Sequence, residues 1–276
     1  MHAADHERIA GLAKKKFGFL DTSLGGYLLL SAMAGIYLGF GIALIFSLGG
    51  PLAAAGSPFV KLIMGASFGI ALTLVIFAGS ELFTGNNMVG AIGGLSRSVS
   101  WSQVAQFNFW SWVGNLVGSL ALAWLVVESG VFAKGPTAEL IQKIAGVKMS
   151  LGPWELFVRG ILCNWLICLA VWMSGRTSND SAKILLIFWC LFAFIGIGFE
   201  HSIANQSFLG MALFLPHEAA ISWGGFWYNQ LFVVLGNIVG GGIFVGALYW
   251  FVSPYRVAEP AAATVAAPVS AVAAQS

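Results

Sequence analysis

Residues 24–48, 60–92, 104–127, 154–174, 184–215 and 226–252 form six almost uninterrupted apolar stretches, each long enough to cross a membrane. A helix needs about 20 apolar residues to span a hydrocarbon core ~30 Å thick. The chain as a whole is 58% hydrophobic and 9% charged, with a mean hydropathy of +0.86, whereas a soluble domain carries about 25% charged residues. A membrane β-barrel would need ~10-residue segments alternating apolar and polar. Segments such as LALAWLVV and LLIFWCLFAFIGI do not alternate. The expected fold is an all-α membrane protein of six transmembrane helices joined by short connections.

The polar N-terminus, MHAADHERIAGLAKKKFG, has no apolar core before a small-residue cleavage site and so does not read as a signal peptide. Ile9, Leu12, Ala13 and Phe17 fall at helical spacing beside Arg8 and Lys14 to Lys16. This predicts a short amphipathic helix on the membrane surface, although residues 1–6 read equally well as a frayed basic tail. Residues 1–20 are therefore an N-terminal segment, 21–253 the transmembrane domain, and 254–276 a low-complexity tail expected to be disordered.

An even number of spans puts both termini on one side. Arg8, Lys14, Lys15, Lys16, Arg97, Arg176, Lys183 and Arg256 fall on that side; Lys61, Lys134, Lys143, Lys148 and Arg159 fall on or near the other. The excess places both termini in the cytoplasm. Cys163, Cys168 and Cys190 lie within spans without metal-ligand or disulfide spacing and read as core residues. No cofactor, metal or nucleic-acid partner is expected.

The hydropathy conceals a repeat. GNLVGS at 114–119 returns as GNIVGG at 236–241, and the polar insertion GSELFTGNN at 79–87 returns as GFEHSIAN at 198–205. The separation of Gly114 from Gly236 nearly equals that of Glu81 from Glu200. The chain thus consists of two three-helix halves, and because three is odd the second enters the membrane from the opposite side, as an inverted repeat. Backbone leaves helical geometry at membrane depth only when buried in protein or lining a cavity. Two breaks in corresponding places predict one pathway between the halves, and each begins a new half-helix whose free N–H groups suit an anion. Gly114, Gly118, Gly236 and Gly240 read as close-packing positions, with Asn115 and Asn237 hydrogen-bonding across them.

His201 is the sharpest candidate, because an ionisable residue at membrane depth is costly and a histidine can donate or accept a proton near neutral pH. A neutral core histidine is the plainer alternative; its position in a break favours function. Glu81, Glu200 and Asn205 belong to the breaks and are read as structural, the glutamates accepting bonds from unwound backbone. Thr84 offers one hydroxyl, and Leu82 and Phe83 beside it suit an apolar constriction. Asn164 serves the pathway or bridges two helices, with nothing to choose between them.

At AGSELFTG, CNWLICLAVWM and GFEHSIAN the chain closely resembles the formate/nitrite transporter family, most closely its nitrite channel branch, over about residues 10–252. The resemblance implies an aquaporin-like homopentamer with one pore per protomer in a bacterial inner membrane. It maps a broken-helix loop onto Leu82, Phe83 and Thr84, a central pore histidine onto His201 and its partner onto Asn164. Apolar constrictions fall on Phe68, Leu72, Leu82 and Phe83 towards the cytoplasm and on Leu72 with Phe194 outside; the basic residue of the outer entrance falls on Lys148. The implied substrate is a small monovalent weak-acid anion: nitrite, with formate or hydrosulfide as alternatives. SELFTG favours nitrite, since the formate branch commonly carries aspartate at the position of Glu81.

Physically, an apolar slit resists a bare anion, whose desolvation is expensive, far more than a neutral acid. An anion entering a low-dielectric site becomes more basic, so protonation can accompany passage. An aquaporin would need paired NPA turns, which the sequence lacks. Glu200 and His201 as an enzyme's acid and base would lack a metal motif, nucleophile elbow or CxxC pair in support. A purely structural scaffold would not need two symmetric breaks.

Overall fold

Fourteen helical segments make up the regular structure of the chain in a computed structural model that describes residues 2–253. The tail expected to be disordered lies outside the described residues. Six helices are long and apolar enough to cross a membrane: Leu24–Ala54, Val60–Gly79, Trp101–Glu128, Pro153–Ser174, Asp180–Ile197 and Trp223–Val252. Large apolar side chains such as Leu29, Val117, Trp189 and Phe251 lie exposed on their outer faces. That arrangement suits lipid and not water, and the protein is a multi-pass membrane protein.

In chain order, α1 (Ala3–Thr22) precedes the first span, α2 (Leu24–Ala54). The second span comprises α3 (Val60–Ser67), α4 (Gly69–Leu74) and a π turn over Val75–Gly79, followed after a break by the half-helix α5 (Phe83–Leu95). Next come α6 (Trp101–Glu128) and α7 (Pro136–Ser150). The second half repeats the plan: α8 (Pro153–Ser174), α9 (Asp180–Ile197), a break, the half-helix α10 (Ser202–Phe214), and a last span of α11 (Trp223–Gly241), a π turn over Gly242–Ala247 and α12 (Leu248–Val252). Hydroxyl or amide side chains cap many starts, with Ser23, Ser100, Asn179 and Ser222 each accepting a backbone N–H of the first turn.

The two halves pack alike. Gly118 of α6 lies against the backbone of Ala32 in α2, and Gly240 of α11 lies against that of Ile161 in α8, so close that a Cβ at either place would collide with main chain. These are the small-residue contacts the repeated GNxxG motifs predict.

Two expectations need correction. The connection after the third span is not merely short loop, for it contains the fifteen-residue α7, started by Pro136 and held by Ile141, Ala145 and Met149, all buried. From Ala3 the N-terminal segment is continuous helix, α1, and not a frayed tail, and it does not rest on lipid alone. Its apolar stripe, Ile9, Ala10 and Ala13, packs with Met88, Val89 and Ile92 of α5 in one buried cluster. The bare surface of Gly93 lets Ala13 approach.

Candidate functional site

Each break starts with a left-handed glycine, Gly79 at φ +77° and Gly198 at φ +97°, a conformation that glycine adopts without a Cβ penalty. The chain then runs extended through Leu82 and His201 before the half-helix begins. In the first half the Glu81 N–H donates to the carbonyl of Leu30, and in the second the Glu200 N–H donates to that of Arg159.

One asparagine holds each break. The Asn115 amide donates to the carbonyls of Ser31 and Glu81, at 2.7 and 2.8 Å, while its oxygen accepts the Phe83 N–H at 2.9 Å. The Asn237 amide donates to the carbonyls of Gly160 and Glu200, at 2.8 and 3.0 Å, while its oxygen accepts the Ser202 N–H at 2.9 Å. Three backbone groups per break, two of them left over by unwinding, thus find partners inside the protein, as buried backbone must.

The glutamates were expected to accept unwound N–H groups; they take side-chain donors instead. Glu81 accepts from the Lys16 ammonium at 2.5 Å and from the Asn86 amide at 3.3 Å. Glu200 accepts from Lys148 at 2.7 Å and from Asn205 at 2.6 Å. Backbone N–H groups are already supplied with neutral acceptors, whereas a carboxylate at this depth needs a counter-charge. The lysines come from α1 and α7, the two helices outside the spans, so each break is tied to one of them. Lys148 also donates to the Asn205 side-chain oxygen.

The starts of the two half-helices meet. Thr84 Oγ1 of α5 lies 3.2 Å from Nε2 of His201, the N-cap of α10. His201 Nδ1 accepts the Ala204 N–H at 3.1 Å, so the hydrogen of the neutral ring sits on Nε2 and points to the Thr84 oxygen. The Thr84 hydroxyl hydrogen, and the N–H groups of Thr84, Gly85 and Ile203, have no acceptor among the described residues. Unused donors thus remain at the N-termini of both half-helices, whose positive dipole ends come together where Thr84 meets His201.

Two cavities approach this junction and share no lining residue. One of about 240 Å³ is lined by Lys61, Lys148, Arg159, Phe194, Glu200 and His201 among others. The second, of about 410 Å³, is lined by Lys16, Leu72, Glu81, Leu82 and Asn86 among others. Phe68 is wholly buried and meets Phe194 with their rings nearly perpendicular, centroids 5.6 Å apart, while Phe194 stacks on His201 at 5.9 Å.

Of the residues singled out in the sequence, His201, Phe194, Lys148, Glu200 and Asn205 line the first cavity and Leu72, Leu82 and Glu81 the second. Thr84 joins them through His201. Phe68, Phe83 and Asn164 line neither cavity. Asn164 makes no hydrogen bond to His201 among the described residues; its amide donates to the carbonyls of Thr84 and Asn237, at 3.1 and 2.6 Å, and so bridges α5, α8 and α11. Sequence reasoning passed over Lys16 as a partner of Glu81, Asn86, and Cys168, whose thiol donates to the Thr84 carbonyl. The offset that relates Glu81 to Glu200 also relates Asn86 to Asn205, and could have found Asn86.

The chain is similar to known proteins. The family model described as formate/nitrite transporter matches residues 3–251. The nitrite transporter NirC of Escherichia coli K12 is 44% identical over 229 residues, covering 83% of this chain and 84% of that protein. The formate channel FocA of the same organism is 31% identical over 249 residues, covering 81% and 85%. Among solved structures, an FNT family ion channel superposes with a TM-score of 0.87 at 41% identity, covering 91% of this chain and 99% of that one. A pentameric formate channel with formate bound gives 0.73 at 29% identity, covering 82% and 96%. With a matching model over nearly its full length and relatives well above 30% identity, the chain belongs to the formate/nitrite transporter family.

Proposed function

We propose that this protein is a channel for small monovalent anions of weak acids, nitrite first among them. The carrying observation is the junction of Thr84 and His201, where unused donors from two half-helix N-termini lie between two cavities, the one on the Lys148 side carrying an excess of cations. Nitrite is favoured over formate by a narrow margin of likeness, 44% identity to the nitrite transporter of Escherichia coli against 40% to a probable formate transporter of Methanothermobacter thermautotrophicus. Hydrosulfide has the same charge and weak-acid character and belongs to the same substrate class.

On this reading the anion leaves one cavity, gives up water at Phe194 and Phe68, and is held by the Thr84 hydroxyl and the free N–H groups. His201 acts as a fixed donor. Its Nδ1 lone pair is engaged by the Ala204 N–H, so taking a second proton there would break the cap of α10. The proton that neutralises a desolvated anion is drawn instead from bulk solvent at the cavity mouth by the anion's raised basicity, the hydroxide left behind staying in bulk water, and the neutral acid crosses the apolar slit. Asn164 positions Thr84 by holding its carbonyl, and Lys148 counters Glu200.

The functional unit is a homopentamer in a bacterial inner membrane with both termini in the cytoplasm. That assignment draws on the pentameric neighbour and on the distribution of basic residues. It puts the Lys16 cavity inside and the Lys148 cavity outside. Glu200 and His201 serve transport: Glu200 is held by Lys148 and Asn205, and His201 by the Ala204 N–H and Thr84.

The test is uptake into proteoliposomes with internal pH recorded, offering nitrite, formate, chloride and glycerol. Nitrite passing best, with an accompanying pH change, supports the reading. Glycerol passing as readily as nitrite would sink it.

A further inference from the structure

Three cations line the Lys148 cavity, and two are already engaged. Lys148 donates to Glu200 and Asn205, and the Arg159 guanidinium pairs with Glu155 one helical turn before it. The third, Lys61, makes no ion pair or side-chain hydrogen bond with any described residue. It sits in the first turn of α3, where the helix dipole disfavours a cation, so helix stability does not account for it. The only carboxylate lining this cavity, Glu200, is 1% exposed and belongs to Lys148. An anion arriving at the cavity therefore meets one uncommitted ammonium, carried on the second span and not, like Lys148, on α7.

We propose that Lys61 is the residue that captures the incoming anion at this mouth and so sets affinity from this side. The proposal rests on the anion-channel reading. A paired lysine such as Lys148 presents little net field, whereas an unpaired charge at a cleft raises the local concentration of the opposite charge. Lys61 takes no part in the step at His201. Its removal should change how much anion is needed, not how fast a loaded pore conducts.

The experiment measures initial nitrite flux against concentration in proteoliposomes of fixed orientation, from each face, for wild type and for Lys61→Gln, Lys61→Arg and Lys61→Glu. For Lys61→Gln the half-saturating concentration should rise roughly fivefold from the Lys61 side, the scale of one charge contact in water, with maximal flux and the opposite face unchanged. Lys61→Arg should restore it, Lys61→Glu should worsen it, and the difference should shrink at molar salt, where the Debye length is about 3 Å. An unchanged half-saturating concentration in Lys61→Gln would overturn the proposal and leave Lys61 as a lysine facing lipid headgroups. A fall in maximal flux from both faces would overturn it too, by marking a structural residue. A wild type that passes no anion would fail the channel reading itself, and the Lys61 proposal with it.

Discussion

Thr84 and His201, 117 residues apart in the chain, meet at 3.2 Å with each in the first turn or cap of a half-helix from a different repeat. His201 does two jobs there through two nitrogens: Nδ1 caps α10 and Nε2 addresses Thr84. The jobs can be separated by substitution. His201→Asn keeps a capping oxygen but withdraws the Nε2 donor, whereas His201→Ala removes both. Thermal unfolding in detergent should show His201→Ala less stable than His201→Asn by about 1 kcal/mol, the usual worth of a cap. Both should lose selectivity for nitrite over chloride in flux assays. Equal stability of the two would show that the cap is idle.

Lys148 and Glu200 lie 2.7 Å apart, with the Glu200 side chain 1% exposed and that of Lys148 19% exposed. Breaking a buried pair from one side strands the other charge, at a cost of about 3–5 kcal/mol. Lys148→Ala should therefore lower the unfolding temperature sharply, and adding Glu200→Gln should recover most of the loss. No recovery in the double variant would mean that Lys148 stabilises α7 by packing instead.

The inverted repeat was legible because both breaks carry their polar residues inside apolar runs, where Glu81 and Glu200 stand out. What pairs with them was not, since Lys16 and Lys148 are 65 and 52 residues away in the chain and only folding brings α1 and α7 onto the breaks. α7 itself carried a readable signal in Pro136 and the stripe Ile141, Ala145 and Met149, but the stripe is short and set among polar residues. Asn164 was left open between two roles because a lone amide in a span fits either. Its contacts with two backbone carbonyls are geometry that no spacing encodes.

Asn237 joins the carbonyls of Gly160 and Glu200 to the Ser202 N–H, all buried. Unpaired buried polar groups cost about 1–3 kcal/mol each, so Asn237→Ala should destabilise by several kcal/mol. Asn115→Ala in the other half should do the same. Asn108 bonds only to Val104 one turn back in its own helix, and Asn108→Ala should cost under about 1 kcal/mol by the same reasoning. Chemical denaturation of the three variants checks the order, and comparable losses at all three sites would deny the breaks their special bracing.

His6 ties α1 to the end of the last span: its Nε2–H donates to the Tyr249 carbonyl at 2.6 Å, and its ring meets Trp172 edge-on. Burial pushes the imidazole below its ordinary 6.5, the Tyr249 carbonyl pulls the other way, neighbouring His2 lowers it further and Asp5 raises it. A docked His6 is therefore neutral near pH 7, while an undocked one takes a proton around 6.5. Docking strength from this group is complete above that pH and declines as pH falls below it towards the lower docked value. The protection factors of the Ile9 and Ala13 amides, corrected for the intrinsic pH dependence of exchange, should be lower at about pH 5 than at about pH 7.5. His6→Gln, which keeps a neutral donor for Tyr249, should flatten the difference. If the variant stays as acid-sensitive as the wild type, the titrating group lies elsewhere on the face of α1, with Asp5 and its partner Arg176 next to examine.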